Sequence, residues 1–250
     1  MNPALVRGEC ASRTLAEITA LDQAQLARHV FPNLPADAHD AIADACRLGI
    51  LKRMQGIAAI LLNKLSAQEI LRCQTHPSDT VRGWGCFIIG AQTMTLEARL
   101  AAIRPFADDA HFGVREWAWM AVRPHLAAEL DHAIALLTPW TQAEAAYLRR
   151  FACEALRPRG VWSAHIAALK DAPQRALPLL DALRADPERY VQDSVANWLN
   201  DAAKSQPQWV QDVCRDWLRD SASPATRYIC RRALRNLSIT QGELYDLLSR

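Results

Sequence analysis

A chain of 250 residues, half of them hydrophobic, has enough apolar surface to bury a substantial core. Its 29 basic residues against 27 acidic ones leave a net charge of only +2, so no global basic field announces a nucleic-acid partner. The seven cysteines are scattered without a C-x-x-C pair, no apolar run reaches membrane length, and the N-terminus has no signal-like core; a soluble protein of the reducing cytoplasm is expected, without membrane or metal.

The first predicted helices cover Leu15 to Val30, Ala38 to Leu48 and Met54 to Leu62, each with apolar residues at helical spacing. Residues 1–77 are read as N-terminal capping helices, and residues 78–250 as recurring helix pairs of one repeat domain. Glycine is sparse, no Asn-Gly or Asp-Gly hairpin signal interrupts alternating apolar residues, and prolines such as Pro77, Pro105, Pro124, Pro139 and Pro158 are expected mostly between helices. The fold class that follows is all-α.

From Ser78 onward a short pattern recurs, in which an apolar-Arg pair opens an apolar helix. It runs Ser78-Asp79-Thr80-Val81-Arg82, then His111-Phe112-Gly113-Val114-Arg115 and Ala145-Ala146-Tyr147-Leu148-Arg149. Glu188-Arg189-Tyr190-Val191-Gln192 follows, and Pro224-Ala225-Thr226-Arg227 is a weaker copy. Successive copies lie 33 to 43 residues apart, close to the HEAT period of roughly 40. A helix pair cannot bury its apolar face alone, so stacked copies are expected to form an α-solenoid with a concave surface.

Stacking would bring equivalent faces of successive helices together, so Glu116, Glu154 and Asp201 can converge, with Trp119, Trp162 and Trp198 near them. Each has a plainer reading. Glu154, inside the apolar run Phe151 to Leu156, can be a buried partner of Arg157 or Arg159 that fixes a turn. Asp201 can belong to a polar helix end with Lys204, and Glu116 to a solvated pair with Arg115, which contributes little. The tryptophans can all be core, or can hold a cationic base if they face the groove. Lysine occurs only at Lys52, Lys64, Lys170 and Lys204; the arginine bias suits phosphate contacts but also follows from a high-GC genome. No histidine pair has metal-ligand spacing, no G-x-G-x-x-G, Walker loop or G-x-S-x-G elbow is present, and Cys153 has no nearby histidine.

Three segments, in order, resemble the DNA alkylation repair glycosylases of the AlkC and AlkD superfamily, the AlkC branch most closely. They are Phe112-Gly113-Val114-Arg115-Glu116-Trp117 running into Ala121 to Leu126, Glu154 to Arg159 with Trp162, and Tyr190-Val191 with Ser194 to Asp201, Lys204 and Pro207. The resemblance spans roughly Ser78 to Leu237. The chain departs from the family pattern at Cys153 and Ala155, where serine and glycine are usual, and at Trp198, where histidine is common. The added immunoglobulin-like domain of some members is not expected here.

The resemblance implies a monofunctional, cofactor-free glycosylase, expected to be a monomer, that excises cationic bases such as 3-methyladenine from double-stranded DNA. Glu154 and Asp201 would then stabilise the developing oxocarbenium sugar and place a water, with Glu116 in support. Trp162 and Trp119, with Trp198 near them, would contact the nucleotide. Arg149, Arg157 and Arg159 would bind phosphates, and Arg227, Arg231 and Arg232 would extend that track. Two alternatives stay open: a DNA-structure binder without catalysis on the same scaffold, and a protein–protein scaffold.

Overall fold

A computed structural model describes residues 2–220 and 223–237, and among them every regular element is helical. The chain divides into two compact units, Met1–Val122 and Arg123–Arg250.

The first unit contains α1 (Pro3–Val6), α2 (Leu15–Ala20), α3 (Gln23–Val30), α4 (Ala36–Ala45), α5 (Ile50–Lys64), α6 (Ala67–Cys73), α7 (Asp79–Ala91) and α8 (Leu96–Ala107), and α9 (Phe112–Ala128) begins in it. The apolar stretch from Leu15 to Val30 is two helices. Leu21 is extended, and the Asp22 carboxylate caps the second helix by accepting from the Gln25 N–H at 3.0 Å. In α5 the residues Met54, Ile57, Ala58 and Leu61 are fully buried at i, i+3, i+4, i+7 spacing and pack on α7. Burying each large side chain contributes about 1.5–3 kcal/mol. Trp84 of α7 is fully buried, with its indole N–H donating to Gln23 Oε1 at 3.2 Å. A β-carbon on Gly90 would lie 2.6 Å from the Ala121 carbonyl oxygen, so only glycine allows the observed approach of α7 to α9. Pro105 and Pro124 lie inside α8 and α9 rather than between helices. Each deletes one backbone N–H, a loss that tertiary packing offsets.

The second unit contains α10 (Leu130–Leu137), a 3-10 turn (Thr138–Gln142), α11 (Ala146–Glu154), α12 (Ala167–Asp171), a second 3-10 turn (Pro173–Ala176), α13 (Leu177–Leu183), α14 (Arg189–Ala203), α15 (Pro207–Asp220) and α16 (Pro224–Ala233). Helix α14 is central. It packs on α11, α15 and α16 and buries Val191, Val195, Trp198 and Leu199.

The recurring apolar-Arg pair has a structural explanation. Arg82 donates to the carbonyls of His76 and Pro77, Arg115 to those of Asp109 and Ala110, and Arg149 to those of Ala143 and Glu144. Gln192 does the same with Asp186 and Pro187. In these four copies the side chain clamps the carbonyls six and five residues before it, which would otherwise be left unpaired where the loop enters the helix. Arg82 and Arg149 also grip Asp109 and Asp186 bidentately through Nε and Nη2. For Arg227 of the weakest copy, the equivalent loop positions 221 and 222 lie outside the described residues.

Candidate active site

Helix α11 ends at Glu154, and the turn that follows returns Arg157 to it, with Arg157 Nη1 donating to Glu154 Oε1 at 2.8 Å. Because α14 packs along α11, two of its residues one heptad apart, Ser194 and Asp201, face the same spot. Ser194 Oγ donates to Glu154 Oε2 at 2.6 Å. Arg157 donates from Nε and Nη2 to Asp201 Oδ2 at 3.0 and 2.7 Å. A single guanidinium therefore bridges the two carboxylates. Lys204 Nζ reaches Asp201 Oδ1 at 3.0 Å, and Arg150 Nη2 stands 3.5 Å from Glu154 Oε2.

Both acids are 4% exposed, so they are withdrawn from bulk water without being sealed off. Burial alone pushes the Glu154 carboxyl upward. The guanidiniums of Arg150 and Arg157 and the hydrogen bonds from Ser194 and Arg157 outweigh it and hold the group below the ordinary carboxylate range. Arg157 responds in kind: burial opposes its charge, but Glu154 and Asp201 raise its affinity for the proton above the usual. Glu154 thus carries a negative charge in a protected place. The Cys153 thiol beside it is pushed up to about 12, first by burial and then by the Glu154 charge, so it is not a nucleophile.

The segment after Arg157 is tied to the same spot by Arg123, which is 3% exposed. Its Nη1 donates to the Ala155 carbonyl at 2.9 Å and its Nη2 to the Arg157 carbonyl at 2.6 Å. Nε and Nη2 both reach the Ala164 carbonyl, at 3.2 and 3.1 Å. Burial lowers this guanidinium to about 10, still charged at neutral pH. Gly160 passes so close that a β-carbon would sit 3.1 Å from Arg123 Cζ. The resulting loop presents Val161 and Trp162 to solvent, 52% and 48% exposed. Trp162 has a φ of +57°, a left-handed conformation costly for a bulky residue.

The other sequence-derived candidates are placed differently. Glu116 is half-buried and accepts from the Trp119 indole N–H at 2.7 Å within the first unit, so it has a partner other than the expected Arg115. Trp119 and Trp198 are each 1% exposed, which leaves neither ring a face for a nucleotide. The Trp198 N–H donates to the Leu156 carbonyl at 2.9 Å. Arg149 spends its fork on Asp186 and its remaining amino group on two loop carbonyls, so it has no donor pair left for phosphate. The Arg157 fork is likewise occupied, by the two acids. Arg159 Nη2 donates to Ser205 Oγ at 2.8 Å. Arg232 pairs with Asp193 at 3.2 Å, whereas Arg227 and Arg231 line an open cleft. Ser194, Arg150 and Arg123 were not singled out from the sequence. Arg123 and Ser194 stand inside segments that carry the resemblance, but neither has a role assigned from the sequence. Among the described residues no group of three or more His, Cys, Asp and Glu side chains stands together as a metal site, and no helix is long and apolar enough to cross a membrane.

The model of a family described as DNA alkylation repair enzyme matches residues 107–237, a span that contains the whole carboxylate cluster. The chain belongs to that family. Over 117 residues, 47% of its length, it is 39% identical to the uncharacterized protein YhaZ of Bacillus subtilis and spans 32% of that relative. In fold it is similar to the alkylpurine DNA glycosylase AlkC of Pseudomonas fluorescens, solved bound to DNA containing an abasic site analog. The TM-score is 0.74 at 24% identity, covering 95% of this chain and 68% of AlkC. AlkD2 of Streptococcus mutans matches with a TM-score of 0.64 at 19% identity, over 81% of this chain and 98% of AlkD2. These structural likenesses establish the helical-repeat fold.

Proposed function

We propose that this family member is a monofunctional DNA glycosylase that hydrolyses the N-glycosidic bond of cationic alkylated bases, 3-methyladenine among them, in duplex DNA. The observation that carries this reading is the pair of nearly buried acids, Glu154 and Asp201, held on one guanidinium, with an exposed tryptophan on the loop that follows. A cationic base needs no proton to depart. It leaves with the electron pair of the glycosidic bond, and positive charge develops on the sugar ring. Fixed carboxylates in a poorly hydrated site stabilise that charge, and one of them takes a proton from the water that attacks the sugar carbon. Arg157 keeps the acids in position until DNA arrives. A backbone phosphate then competes with the two carboxylates for the guanidinium as a third anion, and the cationic sugar competes with the guanidinium for the carboxylate oxygens. Trp162, presented by the Arg123-tied loop, supplies an aromatic surface for the nucleotide.

The test is release of methylated bases from alkylated duplex DNA by wild type, Glu154→Gln and Asp201→Asn, with DNA binding measured in parallel. Each variant is expected to lose about 10²–10³-fold in rate, the typical effect of removing one group that stabilises transition-state charge, while still binding DNA. Wild-type protein that binds duplex but releases no base would refute catalysis and leave a DNA-structure binder.

A further inference from the structure

Three donors face the Glu154 carboxylate, and they differ in how easily each is drawn away. Arg157 Nη1 takes Oε1 at 2.8 Å, but the same guanidinium holds Asp201 through Nε and Nη2, and it is the group an incoming phosphate contests. Arg150 Nη2 stands 3.5 Å from Oε2, longer than a good N–H···O bond, and its Cζ lies over the Tyr190 ring, 4.9 Å from the centroid. Ser194 Oγ reaches Oε2 at 2.6 Å, the short length of a hydrogen bond to an ionised acceptor. Ser194 is 3% exposed and sits on α14, the helix that also carries Asp201. A single torsion places its oxygen, whereas an arginine guanidinium ends a long flexible stem. The Cys153 thiol is also within hydrogen-bonding reach of Ser194, but it keeps its proton and sulfur is a weak acceptor, so the hydroxyl proton goes to the carboxylate.

We infer that Ser194 is a positioning residue of the glycosylase site: it anchors Glu154 through Oε2, so that Oε1 is the oxygen freed for the cationic sugar when Arg157 gives way. The inference rests on the glycosylase reading above and adds which oxygen of Glu154 works and what holds the carboxylate while it does. A buried neutral donor fits that task. It offers little to a phosphate, and it stays on Oε2 while the guanidinium is contested. Without it the carboxylate rotates about its last torsion once Arg157 lets go, and the charge that the transition state needs is no longer fixed in place.

The experiment is release of 3-methyladenine from alkylated duplex by wild type, Ser194→Ala, Glu154→Gln and the double variant, with rates expressed per folded molecule. Ser194→Ala is expected to lower kcat about 10–100-fold, the range of one hydrogen bond to a charged group, at an unchanged KM. The double variant should be no slower than Glu154→Gln alone, because Ser194 acts only through that carboxylate. The pH profile supplies a second reading. Glu154 is faced by Arg150 and Cys153 from α11, Arg157 from the turn, Asp201 with Lys204 from α14, and Arg123 from α9. With the Ser194 bond gone, the Glu154 carboxyl moves up and the acid limb of the profile moves to higher pH. Ser194→Cys, similar in size with a weaker donor, should fall between wild type and Ser194→Ala, and it carries the test if the alanine variant fails to fold. Losses that multiply in the double variant, or a Ser194→Ala protein with wild-type kcat and acid limb, would overturn the positioning role and leave the glycosylase reading intact. Wild type that releases no base overturns both.

Discussion

The clamps at the helix starts and the bridge at the end of α11 use the same side chain under different constraints. At Arg82, Arg115 and Arg149 the guanidinium grips two loop carbonyls, a task Gln192 performs with no charge at all, and only Arg82 and Arg149 add an ion pair, to Asp109 and Asp186. At Arg157 the charge is essential, because two nearly buried carboxylates must share it. Donor geometry can be met by either residue type, so the clamp tolerates exchange between copies. Charge balance around Glu154 and Asp201 cannot be met by a neutral side chain. That difference separates the part of the repeat that maintains the fold from the part suited to chemistry.

The largest effect expected from probing this contrast is at Arg149. Arg149→Ala strands Asp186, whose side chain is 3% exposed, and releases two loop carbonyls. Removing one partner of a buried pair costs about 3–5 kcal/mol. The expectation is a lowered denaturant midpoint together with loss of folded protein at physiological temperature. Arg149→Gln keeps the carbonyl donors but not the charge and should recover part of the loss, and Gln192→Met should cost about 1 kcal/mol for its missing bonds. Equal losses for Arg149→Ala and Arg149→Gln would show that the clamp is an ion pair first and a carbonyl grip second.

The next effect concerns the charge at Glu154. Its folded-state pKa lies below the unfolded value of about 4.3, so the pair contributes stability that is present above that pH and lost as pH falls through the lower, folded value. With respect to this group, wild-type base release should stay level from pH 7 down to about 5. Arg157→Gln removes one of the two guanidiniums that offset the burial of Glu154, and Arg150 and Ser194 remain. The Glu154 carboxyl then moves upward, and the acid limb of the pH–rate profile moves up with it. Superimposable profiles for the two proteins would show that Glu154 does not carry the rate-determining charge.

Much of this organisation was legible in the sequence because it depends on periodicity. The recurrence of the apolar-Arg pair identifies the all-α repeat, and the position of Glu154 inside an apolar run with Arg157 and Arg159 close behind leaves a buried Glu–Arg pair as one of its two readings. The purpose of the recurring arginine was not legible, because its partners are backbone carbonyls, which every residue has. Phosphate-binding and clamping arginines look alike in a sequence, and so Arg149 was assigned to DNA when its donors are spent on Asp186 and its own loop. Trp119 and Trp198 show the same limit, since an indole at helical spacing reads the same whether it faces a groove or the core. Leu21 broke one expected helix in two because the Asp22 side chain offers the next backbone N–H groups a partner that favours a new start. Ser194 carried no signal of its own; its contact with Glu154 depends on how α14 lies along α11.

The smallest effect is expected where an arginine again grips carbonyls but the loop it grips carries a candidate substrate contact. Arg123 resembles the clamps in donating to three backbone carbonyls, yet the segment it fixes ends in the exposed, left-handed Trp162. Gly160→Ala introduces a methyl group 3.1 Å from a guanidinium pinned by those bonds, so the loop must yield rather than the arginine. Overpacking of this kind costs about 1 kcal/mol, a change in thermal midpoint of a few degrees at most. If the loop positions Trp162 against the nucleotide, Gly160→Ala and Trp162→Ala should both raise KM for alkylated duplex several-fold and leave kcat close to wild type, because the carboxylates and their bridge are untouched. A fall in kcat at unchanged KM in Gly160→Ala would place the loop in the chemical step through the Arg157 carbonyl that Arg123 holds. In that case Arg123 would be a support for the carboxylate bridge and not a mount for the tryptophan.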